Sequence, residues 1–103
     1  MSITVLIVDD QDVVRAGLAA LFQGTTIEVV AEASSGSQAV TKLLKAKPDV
    51  VLLDVRLGGK IDGFACLQRI RKKSPHTPVV MFSAHDNPTY IVTGAGYGTY
   101  RYR

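Results

Sequence analysis

A single α/β domain, built on a parallel sheet with helices on both faces, is the fold this sequence predicts. Two observations carry that prediction. Short apolar runs rich in β-branched residues alternate along the chain with stretches whose apolar residues recur at helical spacing. The chain has 103 residues, enough for one small domain and too few for two. Hydrophobic residues make up 47% and charged residues 20%, which excludes a disordered or low-complexity chain.

The elements follow in order. Ile3 to Val8 is apolar apart from Thr4, and Val50 to Leu53 and Val79 to Phe82 are apolar throughout. These runs suit strands buried on both faces. In Ile27 to Ala33, Glu28 and Glu32 alternate with Ile27, Val29, Ala31 and Ala33, which predicts a half-exposed strand at a sheet edge. Between the strands, Val13, Val14, Gly17, Leu18, Leu21 and Phe22 mark one apolar helix face, with Gly24 where a C-cap belongs. Ala39, Val40, Leu43 and Leu44 mark a second helix. Ser35 and Gln38 form a capping-box pattern at its start, and Pro48 stops it. Phe64, Leu67 and Ile70 form a third stripe that ends at Lys72-Lys73-Ser74-Pro75. Asp86-Asn87-Pro88 reads as the start of a fourth helix, with the proline in its first turn. Strand and helix thus alternate four times. That order predicts right-handed crossovers and a ligand site beyond the carboxyl ends of the strands.

Chemistry is therefore sought at those ends. Asp9 and Asp10 end the first strand, Asp54 ends the third and Ser83 the fourth. Each aspartate alone has an ordinary reading as a cap for the following helix. All three at strand ends is a different matter. Carboxylates brought close repel, and one pKa rises unless a cation joins them. Oxygen ligands with open positions suit Mg²⁺, which keeps waters and favours phosphate.

The runs Val5-Leu6-Ile7-Val8-Asp9-Asp10, Val51-Leu52-Leu53-Asp54 and Val79-Val80-Met81-Phe82-Ser83-Ala84 resemble the response regulator receiver domain. Asp12-Val13-Val14-Arg15-Ala16-Gly17-Leu18 and Glu28-Val29-Val30-Ala31-Glu32-Ala33 resemble its NarL/FixJ-like branch, usually linked to a LuxR-type helix-turn-helix. The resemblance covers residues 3 to 93. It implies a flavodoxin-like, doubly wound parallel sheet of strand order 2-1-3-4-5. It also implies transfer of a phosphoryl group from the histidine of a sensor kinase to an aspartate. Carried onto this chain, Asp54 is the phosphoacceptor. Asp10, Asp9 partly through water, Asp54 and the backbone carbonyl of Arg56 hold Mg²⁺. Ser83 hydrogen-bonds the phosphoryl group, and Ala84 leaves room for it. Arg56 and His85 flank the pocket and tune phosphoryl lifetime. The module assists its own modification and is not a turnover enzyme.

Two stretches depart from the family. Gly58 stands where a proline is usual, and the loop to Asp62-Gly63 is one residue longer, which makes that loop more mobile. The family's lysine at the close of a fifth strand and its fifth helix are not in this sequence: either the chain is truncated, or residues 94–103 are an atypical end to a receiver domain spanning 1–103. Thr99 to Arg103 would form the fifth strand, with Tyr102 near the switch aromatic. The rival reading is accordingly a degenerate receiver that works by protein contact without phosphorylation. A phosphohydrolase with an aspartate nucleophile would need a second aspartate two residues on, where Arg56 stands. The missing fifth helix also predicts an uncovered apolar sheet face, and a homodimer made through that face and the residues after Thr93. DNA would be reached only through an output domain absent from this chain.

The remaining signals are weaker. No apolar run approaches the roughly 20 residues of a membrane span, and the first residues lack a signal-peptide pattern. One cysteine, Cys66, excludes an internal disulfide and reads as a packed helix residue of a cytoplasmic chain. A net charge of +3 is too small to argue nucleic-acid binding by the domain itself. Arg69, Arg71, Lys72 and Lys73 read as a solvated helix end that complements the dipole. His76 sits in a turn, and Gly94-Ala95-Gly96-Tyr97-Gly98 lacks the spacing of a dinucleotide loop.

Overall fold

The computed structural model describes residues 2–58, 62–83, 89–93 and 99–102, the last two segments by backbone only. The elements are β1 (Ile3–Val8), α1 (Asp12–Phe22), β2 (Ile27–Ala33), α2 (Gly36–Ala46), β3 (Val50–Asp54), α3 (Gly63–Lys73), β4 (Val79–Ser83), β5 (Thr89–Thr93) and β6 (Thr99–Tyr102). They form one sheet in the order β2-β1-β3-β4-β5-β6. The first four strands are parallel, in the flavodoxin-like order, and β2 lies at the edge as its alternating glutamates require. An irregularity between Val5 and Leu6 shifts β2 by one residue, which turns Val30 partly outward.

Local signals explain the helix ends. Gln23 caps α1, and Gly24 follows with φ 76°, the left-handed conformation favoured just past a helix. Ser35 Oγ accepts from the Gln38 amide at 3.2 Å, as the capping pattern requires. The Gln38 side chain, however, reaches Ser34, accepting from its amide at 3.0 Å. Lys47 ends α2 in a left-handed turn, φ 48°, before Pro48.

Alternate residues of the parallel strands face opposite layers. Leu6, Val8, Val51, Leu53, Val79 and Met81 join Ala39, Leu43, Cys66 and Ile70 in one core beneath α2 and α3. Val5, Ile7, Leu52, Val80 and Phe82 face the α1 side.

Three expectations need correction. The buried stripe of α3 is Gly63, Cys66 and Ile70, while Phe64 is exposed. Where a fourth helix was expected, Thr89–Thr93 is a strand antiparallel to β4, with Ser83 opposite Thr89. Five residues separate the two strands, and a crossover back to a parallel neighbour needs about 10 or more. Thr-Tyr-Ile-Val-Thr is also a strong strand sequence. Finally, Thr99–Tyr102 is not a parallel neighbour of β4. It pairs antiparallel with β5, Tyr102 opposite Tyr90, one strand further out than the resemblance implied.

Candidate functional site: an acidic cluster at the strand ends

The parallel pairing of β1 and β3 brings their carboxyl ends together. Asp9, Asp10 and Asp54 each offer a carboxylate oxygen, and these atoms all lie within 4.8 Å of one another. Asp9 and Asp54 are buried and Asp10 is exposed, so the cluster has a dry floor and an open mouth.

The reading of these aspartates as helix caps fails: the N-cap of α1 is Gln11, without a side-chain cap bond, and that of α3 is Asp62. Asp9 Oδ1 accepts the Gln11 amide at 2.8 Å, and Asp54 Oδ1 accepts the Arg56 amide at 3.0 Å. Each such bond turns the chain out of its strand. Asp9 Oδ2, by contrast, is buried with no hydrogen-bond partner. A buried orphan oxygen is costly and calls for a ligand. Burial raises the Asp9 carboxyl to about 6, with the nearby charges of Asp54 and Asp10 adding to the rise and the Gln11 bond opposing it. The ion pairs of the described residues, Arg15 with Asp12 and with Glu32, leave this cluster out. An oxygen-only, anionic and partly open donor set fits a hard divalent cation.

Backbone bonds hold the floor. The Asp9 amide donates to Ala33 at 3.0 Å, and the Val55 amide to Phe82 at 2.8 Å. Asp54 is level with Phe82 in the β3–β4 register, which puts half-buried Ser83 one residue beyond the acceptor position on the neighbouring strand. Arg56 is exposed at the rim. Ala84 and His85 lie outside the described residues.

Two further residues shape the site and were not singled out from sequence. Arg15, largely buried, donates from Nη1 to the Asp9 carbonyl at 2.5 Å and from Nε to Glu32 at 3.2 Å, while Nη2 pairs with Asp12. It therefore ties the loop carrying Asp9 and Asp10 to β2 and α1. Its signal was an arginine three residues after Asp12, but the contact to Asp9 is tertiary. Gly63 permits α3 to abut the acceptor turn. A Cβ there would lie 2.3 Å from the Asp54 carbonyl oxygen and 2.6 Å from that of Val55.

Residues 5–102 match the family model described as the response regulator receiver domain. The chain belongs to that family. Receiver domains bind Mg²⁺ in an acidic pocket of this kind. Among relatives, the response regulator protein VraR of Staphylococcus saprophyticus is 36% identical over 103 residues, covering 97% of this chain and 49% of that protein. A protein-glutamate methylesterase/protein-glutamine glutaminase of Archaeoglobus fulgidus is 45% identical over 80 residues, 78% of this chain and 22% of that protein. Among solved structures, a LuxR-family two-component response regulator from Aurantimonas sp. superposes with a TM-score of 0.76 at 27% identity, over 84% of this chain and 62% of that one. This receiver chain spans about half the length, or less, of these curated relatives. No helix among its described residues is long and apolar enough to cross a membrane.

Proposed function

We propose that this receiver domain accepts a phosphoryl group on Asp54 from the histidine of a sensor kinase and passes the change to a transcriptional output. The supporting observation is the cluster of Asp9, Asp10 and Asp54, with oxygens within 4.8 Å of one another and one buried oxygen unpaired. An Asp54 carboxylate oxygen attacks phosphorus, the phosphorus–nitrogen bond of the donor histidine breaks, and the imidazole recovers a proton from solvent. Asp9, Asp10, Asp54 and the Arg56 carbonyl would hold Mg²⁺. The ion supplies charge neutralisation between two approaching anions. Asp9 keeps a dry carboxylate facing the acceptor, and Arg15 fixes the loop on which it sits. Ser83 donates to a phosphoryl oxygen, with Ala84 leaving space and Arg56 and His85 at the rim. The reading places the protein in the cytoplasm, with DNA contacted through a domain outside this chain.

Mass spectrometry after incubation with a small acyl phosphate and Mg²⁺ tests the reading. One phosphoryl group should appear on the wild type and none on Asp54→Asn. Labelling that persists in Asp54→Asn overturns it.

A second reading is favoured by one observation: β5 runs antiparallel beside β4, where the resemblance implied a parallel neighbour. On that reading the module works by protein contact alone. Wild-type protein that stays unlabelled yet still binds its partner would select it. Self-association belongs to either reading, because Val13 and Leu21 are exposed on α1 and Leu52 and Val80 are half-buried on the same side of the sheet. Sedimentation over a dilution series decides it, a non-associating monomer at high concentration excluding the homodimer.

A further inference from the structure

The acidic cluster has a basic counterpart at the other end of the domain. Seven of the chain's twelve Lys and Arg residues fall within α2, its cap Lys47 and α3, and no Asp or Glu does. Six of them, Lys42, Lys45, Lys47, Arg69, Lys72 and Lys73, are exposed. Among the described residues none of these six is in an ion pair.

Complementing the helix dipoles explains cations in the last turns. It does not explain Arg69 further back, nor the lack of acids, and Lys42 is accounted for separately by its Nζ donating to the Glu32 carbonyl of β2. Solvated helix faces normally mix signs, and like charges three or four residues apart destabilise a helix. Here Lys42 precedes Lys45 by three residues, and Arg69 precedes Lys72 by three and Lys73 by four. The helices thus carry repulsive neighbours that local stability does not favour.

Four of the six, Lys47, Arg69, Lys72 and Lys73, border clefts between α2 and α3. One cleft of about 340 Å³ is lined by Leu43, Leu44, Lys47, Pro48, Lys73 and Thr77, among others. An adjoining cleft of about 330 Å³ includes Val40, Thr41, Arg69 and Lys72. Lys73 lines both clefts, which sets them side by side along the α2–α3 seam. Its floor is apolar, with Leu44 50% exposed. Nucleic acid would satisfy the rim and leave Leu44 in water. A strand of plain negative charge would do the same.

We propose that this seam docks an acidic amphipathic helix of a partner protein. Its apolar side chains would cover Val40 and Leu44, and its carboxylates would meet Lys47, Arg69, Lys72 and Lys73. Lys47, Lys73 and Thr77 lie next to the starts of β3 and β4, whereas Asp54 lies at the opposite end of β3. Docking therefore leaves the acidic site open and does not depend on whether Asp54 is modified.

The test uses the full 103-residue chain and a synthetic helical peptide with leucine on one face and glutamate on the other. Controls are a scrambled peptide of the same composition and a short DNA duplex. Amide shifts are followed by NMR at about 50 mM salt, where charge attraction is weakly screened. The amphipathic peptide should shift amides of Thr41, Leu44, Lys73 and Thr77 and bind about tenfold more tightly than the scrambled one. The double variant Lys72→Glu/Lys73→Glu should weaken it about tenfold, and Leu44→Ser about threefold. Both variants change exposed residues, and unaltered circular dichroism verifies their fold. Equal binding of the scrambled peptide, tighter binding of the duplex, or indifference to either variant overturns the proposal.

Discussion

The two faces of the sheet are built from similar residues and reach different ends. Beneath α2 and α3, eleven residues from strands and helices are no more than 2% exposed. On the other face α1 contributes no buried residue, and its Val13 and Leu21 are 76% and 70% exposed. The strands are not the cause, since Val5, Ile7 and Phe82 are buried there too. The difference lies in the covering layer: among the described residues, two helices lie on one side and one helix, set towards the β2 edge, on the other. An amphipathic stripe states what a helix can bury; whether it does so depends on a facing layer that the stripe does not encode.

Truncation on each face is the sharpest way to break that comparison. Ile70→Ala should cost about 3–4 kcal/mol of stability, and Leu52→Ala about 1–1.5 kcal/mol, because the half-exposed site leaves a smaller cavity. Urea unfolding measures both, and equal losses would show that the α1 face is as well packed as the other. Two glycines sharpen the contrast. Gly63→Ala should destabilise by about 2–3 kcal/mol, since its Cβ meets backbone that cannot move aside cheaply. Gly17→Ala, with nothing within 4 Å of the new methyl group, should stabilise α1 by roughly 0.5–1 kcal/mol. Thermal unfolding of the pair should move the midpoint in opposite directions.

The acidic cluster makes a third test. Asp9 is raised from 3.8 to about 6 in the folded protein. The native state therefore holds its proton more tightly than the unfolded chain between those values. Its contribution to stability is present near pH 4 and is lost as pH rises to 7, on the order of 1–2 kcal/mol. Asp9→Asn should remove that slope, and millimolar Mg²⁺ should restore stability at pH 7 in the wild type. A slope identical in both proteins would mean that another group carries it. The smallest effect belongs to the open face: Leu21→Ser should change stability by less than about 0.5 kcal/mol.

The four parallel strands and three helices were legible because each has its own period and its own stop signal. Asp9, Asp10 and Asp54 were legible for a related reason: strand ends can be counted, and parallel pairing sets them side by side. The failures share a cause, which is dependence on non-local contact. The stripe of α3 is rotated because Gly63 must abut the Asp54 turn, and that turns Phe64 outward. Asp86-Asn87-Pro88 lies outside the described residues, and the expected helix after it is replaced by Thr89–Thr93, whose strand state depends on pairing with β4. Arg15 reads as an ordinary helix residue until the fold brings the Asp9 carbonyl within 2.5 Å of it.

Cys66 is wholly enclosed in the α3 core, and burial pushes its thiol up to about 11. At pH 8 only about one molecule in a thousand would be a thiolate even if a reagent could reach it. Chemical modification must then wait for the core beneath α2 and α3 to open. The rate at which a thiol reagent consumes this protein is a clock for that opening, and the clock is blind to fraying of α1 or motion of the acidic loop. A single sulfur atom thus gives the better-packed half of the molecule its own kinetic readout.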